Sequence, residues 1–386
     1  SNVHVVLLNA RSVNNKTDAL NDFICSCDID ILCITETWIT DDTPAATSNA
    51  LVPDGYSMLN CPRSTGRRGG GVAIIHKSPF QITVQNNTAT TSFRQFEHMN
   101  CRLKHMNKVV TIVVIYRPPT STTTSLNVNL FLEELTDLLG HISQSTHEFL
   151  LVGDINLHLD DLNNRDTIAF NQILNNFDLV QHISSPTHRC GHTLDIVVCP
   201  RDTALLLPGS IEVKDSGICN DQNQLSMDHK EIHFVLLVEK PQREKKTISF
   251  RPVKQLNKAV FKQDLITNLT ATCANSSGSA ENYNLAMQST IDCHAPRQTK
   301  SITIRPNTQW FNEDMLKLKK EKRKYERKWR TTGNCIDKQL YESKCQEYNA
   351  TMSQTKTEYY KSKVSECGTD SKKTFPDYRK PHRCWS

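Results

Sequence analysis

The chain has 386 residues and a mass of 43.9 kDa, enough for one large domain or two ordinary ones. Apolar residues make up 37% and charged residues 23%, which excludes wholesale disorder and allows a substantial core. No apolar run reaches the roughly 18 residues of a transmembrane helix, and the strand-like start after Ser1 does not read as a secretory signal. Ser1 in place of an initiator Met suggests a fragment, leaving room for an upstream segment.

In chain order, Val3–Leu8 is a β-branched run predicted as a strand. A helical stretch near Lys16–Cys27 precedes a second strand, Ile29–Ile34. Gly69–Ile75 enters a third through a glycine triplet. Phe96–Leu103 and Val109–Tyr116 are expected as neighbouring strands joined at Met106–Lys108. Leu126–Ile142 has the spacing of an amphipathic helix, with Leu130, Leu135, Leu138 and Leu139 on one side. Phe149–Val152 is a short apolar strand that stops at Gly153 and Asp154. Thr167–Phe177 reads as helix, and Thr193–Val198 and Glu231–Val238 read as strands. Such short strands with a few helices predict two sheets packed face to face with helices outside.

The net charge of +5 hides an asymmetry. Residues 1–240 hold 17 Lys+Arg and 26 Asp+Glu, a balance of −9, leaving 29 bases and 15 acids, a balance of +14, for 241–386. An acidic front suits cations and a basic back suits polyanions such as nucleic acid, although a solvated helical surface has the same composition. Residues 241–312 read as a polar linker with a helix over Leu256–Asn275 and a flexible break at 275–279 (NSSGS). From Lys317 to Arg330 there are nine Lys/Arg against two Glu. The break at 331–334 (TTGN) and the helical pattern over Asp337–Cys367 make 313–367 a basic helical hairpin. Residues 368–386 are expected to be a disordered tail.

Fourteen cysteines show no CxxC spacing; the closest pair is Cys25 and Cys27, with Cys33 beyond. Cys33 and Cys199 lie in strand-like runs, where a thiol packs as a small hydrophobe. His188, Cys190 and His192 are adjacent, but no second ligand pair follows at zinc-site spacing. Free thiols in a reducing compartment are expected instead.

Five strand ends carry polar groups that a sheet could hold at one rim. They are Asn9 after Val5–Leu8, Glu36 in ITETW, Tyr116 in YRPP, Asp154 with Asn156 in LVGDIN, and Asp228 with His229 before Ile232–Val238. Asp195 in HTLDIVV belongs with the last. Singly each reads as ordinary loop chemistry. Together they contain what metal-dependent phosphodiester hydrolysis needs. Carboxylates such as Glu36 and Asp228 suit a hard cation like Mg²⁺. A further carboxylate, Asp154, can accept a proton from water. Asn9, Asn156, Tyr116 and His229 can orient and stabilise the phosphate.

This ordered set resembles the endonuclease/exonuclease/phosphatase superfamily. Within it, ITETW, YRPP, LVGDIN and HTLDIVV resemble the apurinic-type endonuclease domain of non-LTR (LINE-type) retrotransposons, over residues 1 to about 240. The resemblance implies a four-layered α/β sandwich, with two mainly antiparallel β-sheets flanked by helices, followed by the basic helical region. It also implies a Mg²⁺-dependent endonuclease, with Mn²⁺ as a substitute, that nicks one DNA strand and leaves a 3′-hydroxyl for target-primed reverse transcription. The implied roles are Glu36 on the metal with Asn9 close to it, Asp154 activating water, and Asn156 positioning water or phosphate. His229 would contact the scissile phosphate, oriented by Asp195, with Asp228 near the metal or leaving group and Tyr116 bonded to the phosphate. Thr187 or Thr193 would occupy the family's Thr position beside the DNA.

The family's Ser-Asp-His reads Met227-Asp228-His229 here, and the DNA-probing hairpin shrinks to Arg189–His192, which suggests a shape-based target preference. Arg11, Arg67, Arg68 and Arg117 are candidate DNA contacts, and Arg63 sits beside the same glycine run. The stretch after Trp310 resembles the connector toward reverse transcriptase, but no Tyr-x-Asp-Asp motif follows. The basic helices suggest RNA as a further partner, no membrane contact is expected, and a DNA-nicking enzyme belongs in the nucleus. Two alternatives stay open: a phosphatase of the same superfamily acting on lipid or inositol phosphates, and an inactive or domesticated element that keeps only nucleic-acid binding.

Overall fold

The computed structural model describes residues 2–63, 69–85, 93–105, 108–120, 126–145, 148–241, 245–253, 256–274, 280–303 and 310–367. The chain runs β1 (Asn2–Asn9), α1 (Thr17–Ser26), β2 (Ile31–Thr35), α2 (Ala45–Leu51), β3 (Tyr56–Cys61), β4 (Val72–Lys77) and β5 (Gln81–Val84). It continues β6 (Glu97–His105), β7 (Lys108–Tyr116), α3 (Val128–Ser145), β8 (Phe149–Asp154), α4 (Arg165–Asn176), β9 (Leu179–Gln181), β10 (Asp195–Pro200), β11 (Glu212–Lys214) and β12 (Glu231–Glu239).

Two six-stranded sheets result, with orders β11-β12-β1-β2-β4-β3 and β5-β6-β7-β8-β10-β9. Each is antiparallel except at its centre, where β1 pairs parallel with β2 and β7 parallel with β8. A parallel pair needs a crossover; α1 supplies it in the first sheet and α3 in the second. Alternate residues of the strands, Val5, Leu7, Cys33 and Ile74 against Cys101, Ile112, Val114 and Val152, face each other in the inner core. The other alternates pack on helices: Val6, Leu8 and Leu32 on Leu20 and Ile24, and Val113, Ile115 and Leu151 on Leu135, Leu138 and Leu139. Burial on both faces explains why β1, β2 and β8 are continuous apolar runs. This is the expected four-layered sandwich.

On α3 the buried stripe is Phe131, Leu132, Leu135, Leu138, Leu139 and Ile142, whereas Leu130 is 46% exposed. Phe131 takes the place expected of Leu130, because the helix begins at Val128 and its phase is set by the later leucines. The half-buried β3 and the short edge strands β5, β9 and β11 lack the periodicity by which the central strands are read. Among the described residues no helix is long and apolar enough to cross a membrane, and the cysteines with described side chains are free. Burial pushes the Cys101 and Cys219 thiols up to about 12, so they stay protonated and inert.

Residues 242–305 form a compact unit of their own. Where a linker with one helix was expected, it contains β13 (Lys245–Phe250), α5 (Lys258–Ala274), α6 (Ala280–His294) and β14 (Gln298–Thr303), the two strands pairing antiparallel. The sandwich unit regains the chain with α7 (Glu313–Thr332) and α8 (Cys335–Cys367). The Asn312 side chain accepts from the Met315 N–H to start α7, and Gly333 stops it. This hairpin lies on α1: Met315, Tyr348 and Met352 bury against Ala19, while Asp22 accepts from Lys319 at 3.2 Å and from the Tyr348 hydroxyl at 3.0 Å. Tyr341 and Cys345 of α8 bury with Cys219. The expected tail, 368–386, lies outside the described residues.

Gly153 joins the parallel pair to the site that follows. Its φ is 149°, and a Cβ there would sit 1.8 Å from the Ile115 carbonyl oxygen. Gly153→Ala is expected to destabilise the sandwich by ~3 kcal/mol, read as a lower urea midpoint at unchanged slope.

Candidate active site

The topology gathers the polar strand ends. Parallel pairing sets Asn9 opposite Thr35, with Glu36 next, and Tyr116 opposite Asp154. Antiparallel β10 begins where β8 ends, so Asp195 lies opposite Asp154. Antiparallel β12 begins two residues after His229, beside the carboxyl end of β1. Residues spread from 9 to 229 thereby share one rim.

Asn9 is the bridge between the sheets. Its buried amide donates to Glu36 Oε1 at 2.9 Å and to Asp154 Oδ2 at 2.8 Å, while its Oδ1 accepts the Arg11 N–H at 3.0 Å. Glu36 Oε2 accepts from Trp38 Nε1 at 3.1 Å, and its charge acts on the Tyr116 hydroxyl. Asn156 holds Asp154 from the other side: its backbone N–H reaches Oδ1 at 3.0 Å and its amide reaches Oδ2 at 3.1 Å. His229 Nδ1 lies 2.8 Å from Asp195 Oδ2, and its Nε2 lies 3.8 Å from Asp154 Oδ2. Glu36, Trp38 and Asn156 all have φ near +50°, a backbone region that non-glycine residues enter at an energetic cost, and one that recurs at functional sites.

The electrostatics follow from burial. Asp154 is fully buried, and desolvation together with the Asp195 charge pushes its carboxyl up to about 8, against the pull of His229, the Asn156 N–H and the Asn9 amide. For His229, burial acts downward, but the Asp195 charge and hydrogen bond, with Asp154 and Asp228 beyond, raise the imidazole to about 10. It is therefore an imidazolium at neutral pH. Burial first, then the Glu36 and Asp154 charges, raise the Tyr116 hydroxyl above its ordinary range, so it remains a donor.

Several partners were not legible beforehand. Lys16, 2% exposed, gives its ammonium to the carbonyls of Ala10, Arg11 and Ser12, each at 3.1 Å, and so shapes the loop after β1. A lysine seven residues past a strand-end Asn carries no signal until the loop closes around it. Glu97 takes Arg63 and the Gly71 N–H, and Arg63 lies over the Tyr116 ring at 5.8 Å. The glycine run wraps the site: Thr37 and Trp38 N–H groups bond the carbonyls of Gly71 and Gly70, and all three glycines have φ near +80°. Its role is to approach residues 37–38 closely, where phosphate approach had been one reading.

Other expectations meet different geometry. Arg117 is 1% exposed and donates to the Ile155 and Asn156 carbonyls at 3.0 and 3.2 Å, stacking on Phe131; burial makes it a brace under Asn156, out of reach of DNA. Thr187 is fully buried, its hydroxyl accepting the Leu194 and Asp195 N–H groups. Thr193, 4% exposed, donates to the Ser185 carbonyl at 3.2 Å. Both threonines hold the strand that carries Asp195 and neither faces outward. Asp228 pairs with Arg11 at 3.0 Å, so its carboxylate is engaged by a cation of the chain; Arg11 is half exposed at the rim. Arg67 and Arg68 lie outside the described residues. Met227 packs on the apolar cluster around Leu20 and Ile24. The 188–192 turn bridges to His229 by main chain, with Arg189 N–H on the Asp228 carbonyl at 2.8 Å. His192 takes Asp160 at 3.1 Å, and Cys190 joins no metal-ligating cluster among the described residues.

The donor set fits a hard divalent cation. Asp154, Asp195 and His229 place ligand-type atoms within 4.8 Å of one another, as do His188, Asp228 and His229. The half-buried Glu36, held by the same Asn9 amide that binds Asp154, adds carboxylate oxygens beside these groups. A set rich in carboxylate oxygens and without thiolates matches Mg²⁺-class ions better than soft metals.

Residues 1–216 match the model described as Endonuclease/Exonuclease/phosphatase family. No curated protein matches the sequence. Among solved structures, the endonuclease domain of TRAS1, a telomere-specific non-LTR retrotransposon, aligns at 14% identity over 61% of this chain and 98% of its own, with a TM-score of 0.46. The AP endonuclease LMAP from Leishmania major aligns at 14% over 61% and 87%, TM-score 0.45. The 3′ phosphatase NExo from Neisseria, bound to product DNA hairpin, aligns at 14% over 60% and 98%, TM-score 0.45.

Two outcomes follow from the geometry. Asp154 holds its proton in the folded chain between about pH 4 and about 8, where the unfolded carboxyl has lost it, so its contribution to stability falls as pH rises through that window. In metal-free buffer, Asp154→Asn is therefore expected to gain stability relative to wild type from pH 4 to pH 8, read by urea unfolding at each pH. Arg117→Met is expected to lose about 3 kcal/mol of stability by stranding the buried Ile155 carbonyl and the part-buried Asn156 carbonyl. Its salt dependence of DNA binding should equal that of wild type, since no phosphate contact is removed.

Proposed function

The chain belongs to the endonuclease/exonuclease/phosphatase family, and from that membership and the rim geometry we propose that it is a metal-dependent phosphodiesterase that nicks one strand of DNA, leaving a 3′-hydroxyl. The observation that carries the reading is the Asn9 amide holding Glu36 and Asp154, from opposite sheets, beside the Asp195–His229 pair. The motifs ITETW, YRPP, LVGDIN and HTLDIVV support a retrotransposon-type endonuclease acting in the nucleus before reverse transcription.

Asp154 accepts the proton of the attacking water at its carboxylate. A carboxyl titrating near 8 is a stronger acceptor once ionised, although only part of the population is ionised at neutral pH, so nicking should rise with pH toward that value. The Asn156 and Asn9 amides fix the direction of that carboxylate and hold it in a single orientation. His229, an imidazolium kept in register by Asp195, presents Nε2 toward the phosphate and stabilises its growing charge. Tyr116 adds a neutral hydroxyl donor on the Glu36 side. Glu36, with Asn9 beside it, would hold a Mg²⁺ or Mn²⁺ ion, whose charge polarises phosphate oxygens when bound.

Supercoiled plasmid with Mg²⁺ tests the proposal. Wild type should convert it to open circles, and EDTA should stop the conversion. Asp154→Ala and His229→Ala should each slow nicking by about 10²-fold or more. A folded wild type that leaves plasmid intact while hydrolysing inositol or lipid phosphates would transfer the site to the phosphatase reading.

A further inference from the structure

The nine basic side chains between Lys317 and Arg330 divide by direction. Lys319 reaches Asp22, Lys322 lies over the Tyr348 ring at 4.8 Å, and Arg323 donates to the Ser26 carbonyl at 2.7 Å. These three fasten α7 to α1 and α8. Arg330 pairs with Glu326 of its own helix. The remaining five, Lys317, Lys320, Lys324, Arg327 and Lys328, are all exposed. At 100° per residue they fall within about 100° of arc, along a row about 16 Å long. Lys317 and Lys328 meet Asp314 and Asp337 at the two ends. Among the described residues, Lys320, Lys324 and Arg327 have no acidic partner.

We propose that this outward face of α7 is a second nucleic-acid contact, a phosphate-docking stripe for duplex DNA. Three cations without acidic partners, in a row that ends on the paired Lys317 and Lys328, fit a polyanion, and a duplex carries about one phosphate per 1.7 Å of its axis. Single strands are gripped by aromatic platforms as well as by charge. The aromatic residues of α7 are turned away from the stripe: Trp329 stacks on Tyr341 with ring centres 5.5 Å apart, and Tyr325 packs in the same apolar cluster. The stripe therefore offers charge without stacking, the signature of backbone contact that is independent of sequence. The choice of DNA over duplex RNA rests on the nicking activity proposed above. Because α7 and α8 belong to the same compact unit as the sandwich, such a contact would extend the grip of the nuclease itself.

The test compares the full chain with the triple variant Lys320→Ala/Lys324→Ala/Arg327→Ala by fluorescence anisotropy on a labelled 20-base-pair duplex. Binding is measured in EDTA, so hydrolysis plays no part, across a series of KCl concentrations. The variant should show a slope of log affinity against log salt shallower by roughly 2 to 3, near 0.9 per lost phosphate contact. Affinity at about 0.1 M salt should fall by about 10- to 100-fold, with thermal unfolding unchanged. Equal slopes, or no measurable duplex binding by wild type, would overturn the stripe. Tighter binding of single-stranded RNA, lost in the same variant, would overturn its assignment to duplex DNA. A wild type that fails to nick plasmid yet shows the slope change would sink the nicking reading and leave the stripe standing.

Discussion

One amide ties the molecule's chemistry together. Asn9 ends a strand of the first sheet, and Asp154 ends a strand of the second; the Asn9 amide donates to Asp154 and, within its own sheet, to Glu36. Such a bridge demands that the two sheets face each other with the carboxyl ends of their central strands at the same rim. The two parallel pairs meet that demand, since a crossover helix returns each second strand in the direction of the first. Antiparallel neighbours then bring the starts of β10 and β12 to the same rim, and with them Asp195 and His229.

The rim concentrates charge where water is scarce. Asp154 and Asp195 are both essentially buried, and the Asp195–His229 pair answers with one positive charge. Supporting groups hold this unfavourable arrangement: Asn156 on Asp154, Thr187 on the Asp195 backbone, Lys16 on three carbonyls of the Arg11 loop, and Arg117 on the Asn156 carbonyl. The left-handed backbone at Glu36, Trp38 and Asn156 is the steric counterpart. Local strain and raised carboxyl titration persist because the surrounding β-sandwich, with its three apolar clusters, over-determines the positions.

The α7–α8 hairpin shows how one composition serves two surfaces. Its inward basic residues meet Asp22 and the end of α1, its apolar residues cover Ala19 and Cys219, and only the remaining face is free to act on something else. Basic content alone does not separate these roles. Helical phase and the identity of the facing groups do.

The central strands were legible in the sequence because burial on both faces forces continuous β-branched and aliphatic runs, as in Val5–Leu8 and Ile31–Ile34. The polar residues that bound those runs, Asn9, Glu36, Tyr116 and Asp154 at the ends and Asp195 at a start, were legible for the same reason: a polar group at the edge of an apolar strand stands out. What only tertiary structure decided is direction and partnership. Arg117 follows Tyr116 in sequence yet turns under the sheet, where the Ile155 and Asn156 carbonyls accept from its guanidinium. Thr187 and Thr193 look like candidates for a DNA-facing loop, but backbone groups of β10 and its turn claim their hydroxyls. Lys16 and Glu97 gave no signal, since their partners are loop groups: the carbonyls of residues 10–12 for Lys16, and Arg63 with the Gly71 N–H for Glu97. A linear pattern records which residues are buried by their neighbours along the chain; it does not record which hydrogen-bonding group waits across the fold, and that pairing sets the role of each polar side chain.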